Sequence, residues 1–129
     1  MTNRERGAIA AAIAAAENGT TGRIAVREIP DASVDAFGRA RTEFEQSGLQ
    51  RHPSANAALI LVAPKARQFA VLGDRALHER VGDEFWNGIV AESRTYFERG
   101  AIADGVIAAV GRIGEALQTH FPQTRGDAT

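Results

Sequence analysis

Glu17, Thr20, Thr21, His52, Ser54, Asn56 and Asp74 are the side chains whose types and places along the chain lend themselves to chemistry. Their carboxylate, amide and hydroxyl oxygens form a set that hard cations accept. Calcium takes about six to eight such oxygens and fills the remainder of its shell with backbone carbonyls and water. Glu17 and Asp74 are the charged donors and therefore the candidate metal ligands, with Ca2+ or Mg2+ as the ion. Thr20, Thr21, His52 and Asn56 complete the candidate binding set. Each has a plainer reading beside this one. Asp74 stands where an aspartate caps a helix. Thr20 and Thr21 follow the turn pair Asn18-Gly19. Asn56 can bond its own turn, and His52, ahead of Pro53, reads as a solvated loop residue.

Other chemistries are excluded by residue type. The chain has no cysteine, so it has no thiolate nucleophile, Fe–S cluster or thiolate zinc site. His52, His78 and His120 lie far apart, without an HExxH pair. No GxSxG, no Walker loop and no GxGxxG following a strand is present. Neither a nucleotide nor a redox cofactor is expected.

The elements that must position these residues follow from periodicity and punctuation. Asn3 to Glu17 reads as a helix, capped by Thr2 or Asn3 and stopped at Asn18-Gly19. Arg23 to Ile29 alternates as a half-exposed strand. Ser33 opens a second helix to Ser47, with Val34, Phe37, Ala40 and Phe44 on its buried side. Ala57 to Val62 is a continuous apolar run, the mark of a strand covered on both faces. After the turn Ala63 to Ala66, a third strand returns over Arg67 to Leu72 as an antiparallel hairpin. The first two strands, with a helix between them, should run parallel. A short helix from Asp74 to Arg80, a longer one from Gly82 or Asp83 to Arg99, and a last one from Asp104 to Pro122 complete the order. In the last helix Gly111 and Gly114 are expected to allow close approach to a neighbour. The strand directions bring the loops before strands one and two and the exit of strand three to one end of the sheet. The candidate residues all lie on those connections.

At 129 residues the chain is one domain, taken as residues 1–122, followed by a polar tail over 123–129. Fifteen basic and sixteen acidic side chains nearly cancel, which argues against a nucleic-acid partner. The run Ala8 to Ala16 behind Arg4 and Arg6 is too short for a bilayer span and is interrupted upstream by Glu5. The expected location is cytoplasmic, with no transmembrane segment.

The pattern Glu17-x-x-x-Thr21-Gly22-x-Ile24, then Asn56 before an apolar strand, then Arg67-x-Phe69-Ala70-Val71-x-Gly73-Asp74 resembles the TPM domain. Phe85-Trp86, Phe97-x-x-Gly100, Gly105 and Gly114-x-x-Leu117-x-x-x-Phe121-Pro122 extend the likeness from about Ile9 to Pro122. The resemblance implies a three-layer α/β/α sandwich of Rossmann-like appearance, with a small mixed sheet of three to four strands. It also implies two functions: calcium binding, or a weak metal-assisted acid phosphatase acting on phosphomonoesters. The partner would be a protein or a phosphorylated ligand. Arg23 stands where the family commonly has glutamate, Ala55-Asn56-Ala57 where it has Arg-Asn-Gly, and His52 where threonine is frequent. The expectation is therefore a binding module at the Glu17/Thr21/Asn56/Asp74 end, with the phosphatase as the alternative.

Overall fold

A computed structural model describes residues 1–49 and 54–123. Thr2 caps α1 (Asn3–Glu17) in a reciprocal capping box with Glu5, the arrangement that satisfies two orphan donors at once. β1 (Arg23–Glu28) follows, then α2 (Ala36–Ser47), β2 (Ala57–Ala63) and β3 (Gln68–Gly73). α3 (Arg75–Glu98) and α4 (Ile102–His120) close the chain. The sheet order is β1-β2-β3, with β1 parallel and β3 antiparallel to β2.

β2 is buried along its whole length because both faces are covered. Its side chains divide with the period of a strand. Ala58, Ile60 and Val62 pack with Ile24 and Val71 against α1, α3 and α4. Ala57, Leu59, Leu61 and Ala63 pack with Ala70 against Ala36, Ala40 and Phe44 of α2. Three helices thus lie on one face and one on the other, which is the three-layer sandwich with a three-stranded mixed sheet.

Four details depart from the sequence expectation. α2 starts at Ala36, not near Ser33, and its first amide is bonded by the Gln68 side chain of β3 at 3.0 Å. That later start turns Ala36, Ala40 and Phe44 inward at a spacing of four and leaves Phe37 54% exposed. α4 begins at Ile102, two residues ahead of Asp104, and bonds its first turn through the Ala101 carbonyl. Gly111 meets nothing, whereas a Cβ on Gly114 would lie 2.6 Å from that of Ala16, so Gly114 alone of the pair sets the approach of α4 to α1. The two helices expected after Asp74, by contrast, are both present: they make up α3 and meet at Gly82, whose backbone is non-helical (φ 75°, ψ 172°). The β2–β3 turn covers Pro64–Arg67, with Arg67 in the left-handed region at φ 54°.

Candidate functional site

Five of the six candidate side chains lie at one end of the sheet, as the strand directions require; His52 lies outside the described residues. They fall into two groups with different chemistry.

The first group is on the β1 side. Thr20 is buried, and its hydroxyl is shared among groups of the protein: it accepts from the Gly22 N–H and faces the carbonyls of Leu117 and Phe121. Thr20 also bridges to Pro122, and the Thr21 N–H donates to Phe121. Thr20 therefore ties the loop to the end of α4. Glu17 accepts from the Ile24 N–H at 2.8 Å through Oε2. The Asp74 N–H donates to Ala57 and the Ile29 N–H to Val62, so odd residues of β2 face β3 and even ones face β1. In that alternation the Ile24 N–H points out from the uncovered edge of β1. Glu17 seals the edge.

The second group spans β2 and β3. Asn56, fully buried, donates from Nδ2 to Thr21 Oγ1 at 3.0 Å. Its Oδ1 is buried and has no hydrogen-bond partner among the described residues. Asp74 accepts from the Arg75 N–H at 2.7 Å through Oδ1. Its Oδ2 is likewise buried without a partner among the described residues. The register places Asp74 opposite Ala57, since Ala58 opposes Gly73 and the Asp74 N–H bonds Ala57, so the backbones of Asn56 and Asp74 are diagonal neighbours at that end of the ladder.

Capping accounts for only half of Asp74. An N-cap side chain normally bonds the second or third amide of its helix. Here those amides, of Ala76 and Leu77, both donate to the Ala55 carbonyl at 2.9 and 3.4 Å. The His78 N–H already bonds the Asp74 carbonyl. To present its carbonyl this way Ala55 takes φ 50°, a left-handed conformation that costs a non-glycine residue roughly 1–2 kcal/mol. Oδ2 of Asp74 is therefore surplus to the helix. The strained backbone beside it was not legible in the sequence, because alanine carries no signal for positive φ.

Trp86 borders this region. A Cβ on Gly73 would lie 2.2 Å from Cζ2 of Trp86, so the indole packs directly on the backbone next to Asp74. Its Nε1 donates to Nδ1 of His78 at 3.0 Å, and Nε2 of His78 lies 3.4 Å from the carboxylate of Asp83. The indole bond requires Nδ1 to be unprotonated.

The two candidate metal carboxylates are not brought together. Glu17 is engaged beyond the outer edge of β1, while Asp74 ends β3; those strands are two spacings, or about 10 Å, apart. Among the described residues no three His, Asp or Glu side chains gather as a metal cluster.

The family model of the TPM domain matches residues 1–116. No curated protein matches the sequence. Among solved structures, the chain is similar to the BA42 protein of the psychrophilic bacterium Bizionia argentinensis. The two are 30% identical with a TM-score of 0.87, over 98% of this chain and 88% of that one. The N-terminal domain of a P. gingivalis protein is 15% identical with a TM-score of 0.79, over 94% of this chain and 78% of the other. The N-terminal domain of the cg2496 protein from Corynebacterium glutamicum is 15% identical with a TM-score of 0.73, over 96% and 78%. The last two likenesses concern the fold alone, whereas the family model and BA42 speak to descent: this chain belongs to the TPM-domain family.

Proposed function

We propose that this TPM domain is a binding module for a hard divalent cation, calcium foremost, held by Oδ2 of Asp74 and Oδ1 of Asn56. One observation carries the reading: two acceptor oxygens, on the residues that precede β2 and follow β3, are buried and without a hydrogen-bond partner among the described residues. An unsatisfied buried acceptor costs about 1–3 kcal/mol, and more when charged. A cation removes both deficits at once. Asn56 is oriented for this by Thr21, which holds its Nδ2 and so turns Oδ1 away from the Thr21 hydroxyl. Glu17 and Thr20 support the loop that carries Thr21 and are not part of the ligand set. The bound ion would join the start of β2 to the start of α3 and lend the domain a charge-dependent surface for a protein partner or a phosphorylated ligand.

Trp86 is the only tryptophan and packs against Gly73, one residue from Asp74, so its fluorescence reports on the site. Calcium added to the 15N-labelled protein should shift the amides of Asn56, Asp74 and Arg75 and change the indole emission, with saturation. Shifts confined to other loops, or none at millimolar calcium, would remove the proposal.

A further inference from the structure

The two edges of the sheet are treated differently. On β1 the outward N–H of Ile24 is taken by Glu17, and Glu28 is tied to the Met1 ammonium and Arg6. Among the described residues β3 has no such cover. The bonding of odd β2 residues to β3 uses Gln68, Ala70 and Leu72, which directs the backbone groups of Phe69 and Val71 outward. An uncovered strand edge is a template for another strand.

Beside that edge lies a hollow of about 480 Å³ between the start of α2 and the middle of α3. Phe69, Val71, Trp86, Val90 and Phe97 give it an apolar floor, and Phe69 and Phe97 are locked edge to face at 5.5 Å. Phe37, the large hydrophobic side chain most exposed among the described residues, stands at its mouth. Arg67 and Arg94 flank it. Neither joins an ion pair among the described residues, whereas Arg6, Arg27, Arg39 and Arg112 each do. Asp35 is the one acidic residue lining the hollow, and it makes no cap bond.

From these features we infer that the β3 groove takes an extended segment of a partner protein as a fourth strand, with apolar side chains on the floor and acidic residues at its ends against Arg67 and Arg94. Backbone bonds to Phe69 and Val71 supply affinity, and the two arginines supply direction and selectivity. A second copy of this chain is a poor occupant. Its β3 carries no charge, and pairing the edges would bring both sets of arginines to one seam, where like charges repel.

The probe is the end-blocked peptide Glu-Val-Thr-Val-Thr-Val-Glu, titrated into the labelled 129-residue chain. The amides of Phe69 and Val71 and the Trp86 indole should shift and saturate. Methylating alternate peptide nitrogens removes backbone donors and should weaken binding about tenfold. Replacing the terminal glutamates by lysine should weaken it several-fold, and Arg94→Glu, an exposed change on α3, should reverse that preference. Equal binding of the methylated peptide, no shift at millimolar peptide, or a free protein that already sediments as a β3-paired dimer would each overturn the inference.

Discussion

On the β1 flank of the sheet, polar side chains are used by the protein itself. Glu17 holds Ile24, Thr20 holds the end of α4, and Glu28 holds Met1 and Arg6. Across β2 the pattern changes. Among the described residues, Asn56 and Asp74 each spend one polar atom on the fold and keep one buried oxygen without a partner, and the edge of β3 lies open between arginines that join no ion pair. Both flanks are polar loops on the same scaffold, so polarity alone does not mark a site. The difference lies in satisfaction. A polar group that has its partners explains itself as structure, and one that lacks them calls for a ligand.

The largest effect that can break this comparison is expected at Gly73. A methyl there would meet the six-membered ring of Trp86 at 2.2 Å, and the buried indole has little room to retreat. Gly73→Ala should lose about 2–3 kcal/mol of unfolding free energy in urea, the upper range for overpacking. It should also blunt the fluorescence response to calcium, since the indole moves off the backbone beside Asp74. A neutral Gly73→Ala would show that Trp86 does not bind the β3 flank together.

Thr20→Val comes next and probes the satisfied flank. The valine keeps the volume but leaves the Gly22 N–H buried without an acceptor, a loss of about 1–3 kcal/mol. The variant should respond to calcium as fully as the wild type. A calcium response lost with Thr20 would move the site across the sheet.

Smaller still is the contribution of Glu28. Partial desolvation pushes its carboxyl up, but hydrogen bonds from the Met1 ammonium and Arg6 outweigh it and hold the group below its ordinary 4.5. A carboxylate whose folded pKa is depressed stabilises above its unfolded pKa and loses that contribution as pH falls through the folded value. Glu28→Gln should thus cost no more than about 1 kcal/mol at neutral pH, as befits a part-exposed pair. The gap between variant and wild type should close as pH drops below 4.5. A gap that persists in acid would mean the glutamine disrupts packing and not charge.

Much of this arrangement was legible beforehand, for reasons that belong to particular residues. The apolar run of β2, the turn that makes β3 antiparallel, and the Thr2 cap are local patterns, and from them the convergence of Thr21, Asn56 and Asp74 at one end follows by direction alone. What sequence could not give is which polar atoms would be left over. That depends on the backbone of Ala55, which takes over the capping of α3, and on Glu17, whose carboxylate is drawn to a strand edge about two strands from Asp74. Phe37 faces outward because Gln68, thirty-two residues after Ala36, bonds the first amide of α2 and starts the helix there. These are tertiary decisions made by partners distant in the chain.

The most direct measurement compares thermal melts of wild type, Asp74→Asn and Glu17→Gln with and without calcium at about 100 times the dissociation constant, a level that adds roughly 2.7 kcal/mol to a protein that binds only when folded. Without calcium, Asp74→Asn should lie within a few tenths of a kcal/mol of wild type, because asparagine caps a helix as well as aspartate. With calcium, wild type and Glu17→Gln should both gain several degrees in Tm and Asp74→Asn should gain none. Equal gains in wild type and Asp74→Asn would leave Asp74 as a helix cap and contradict the account.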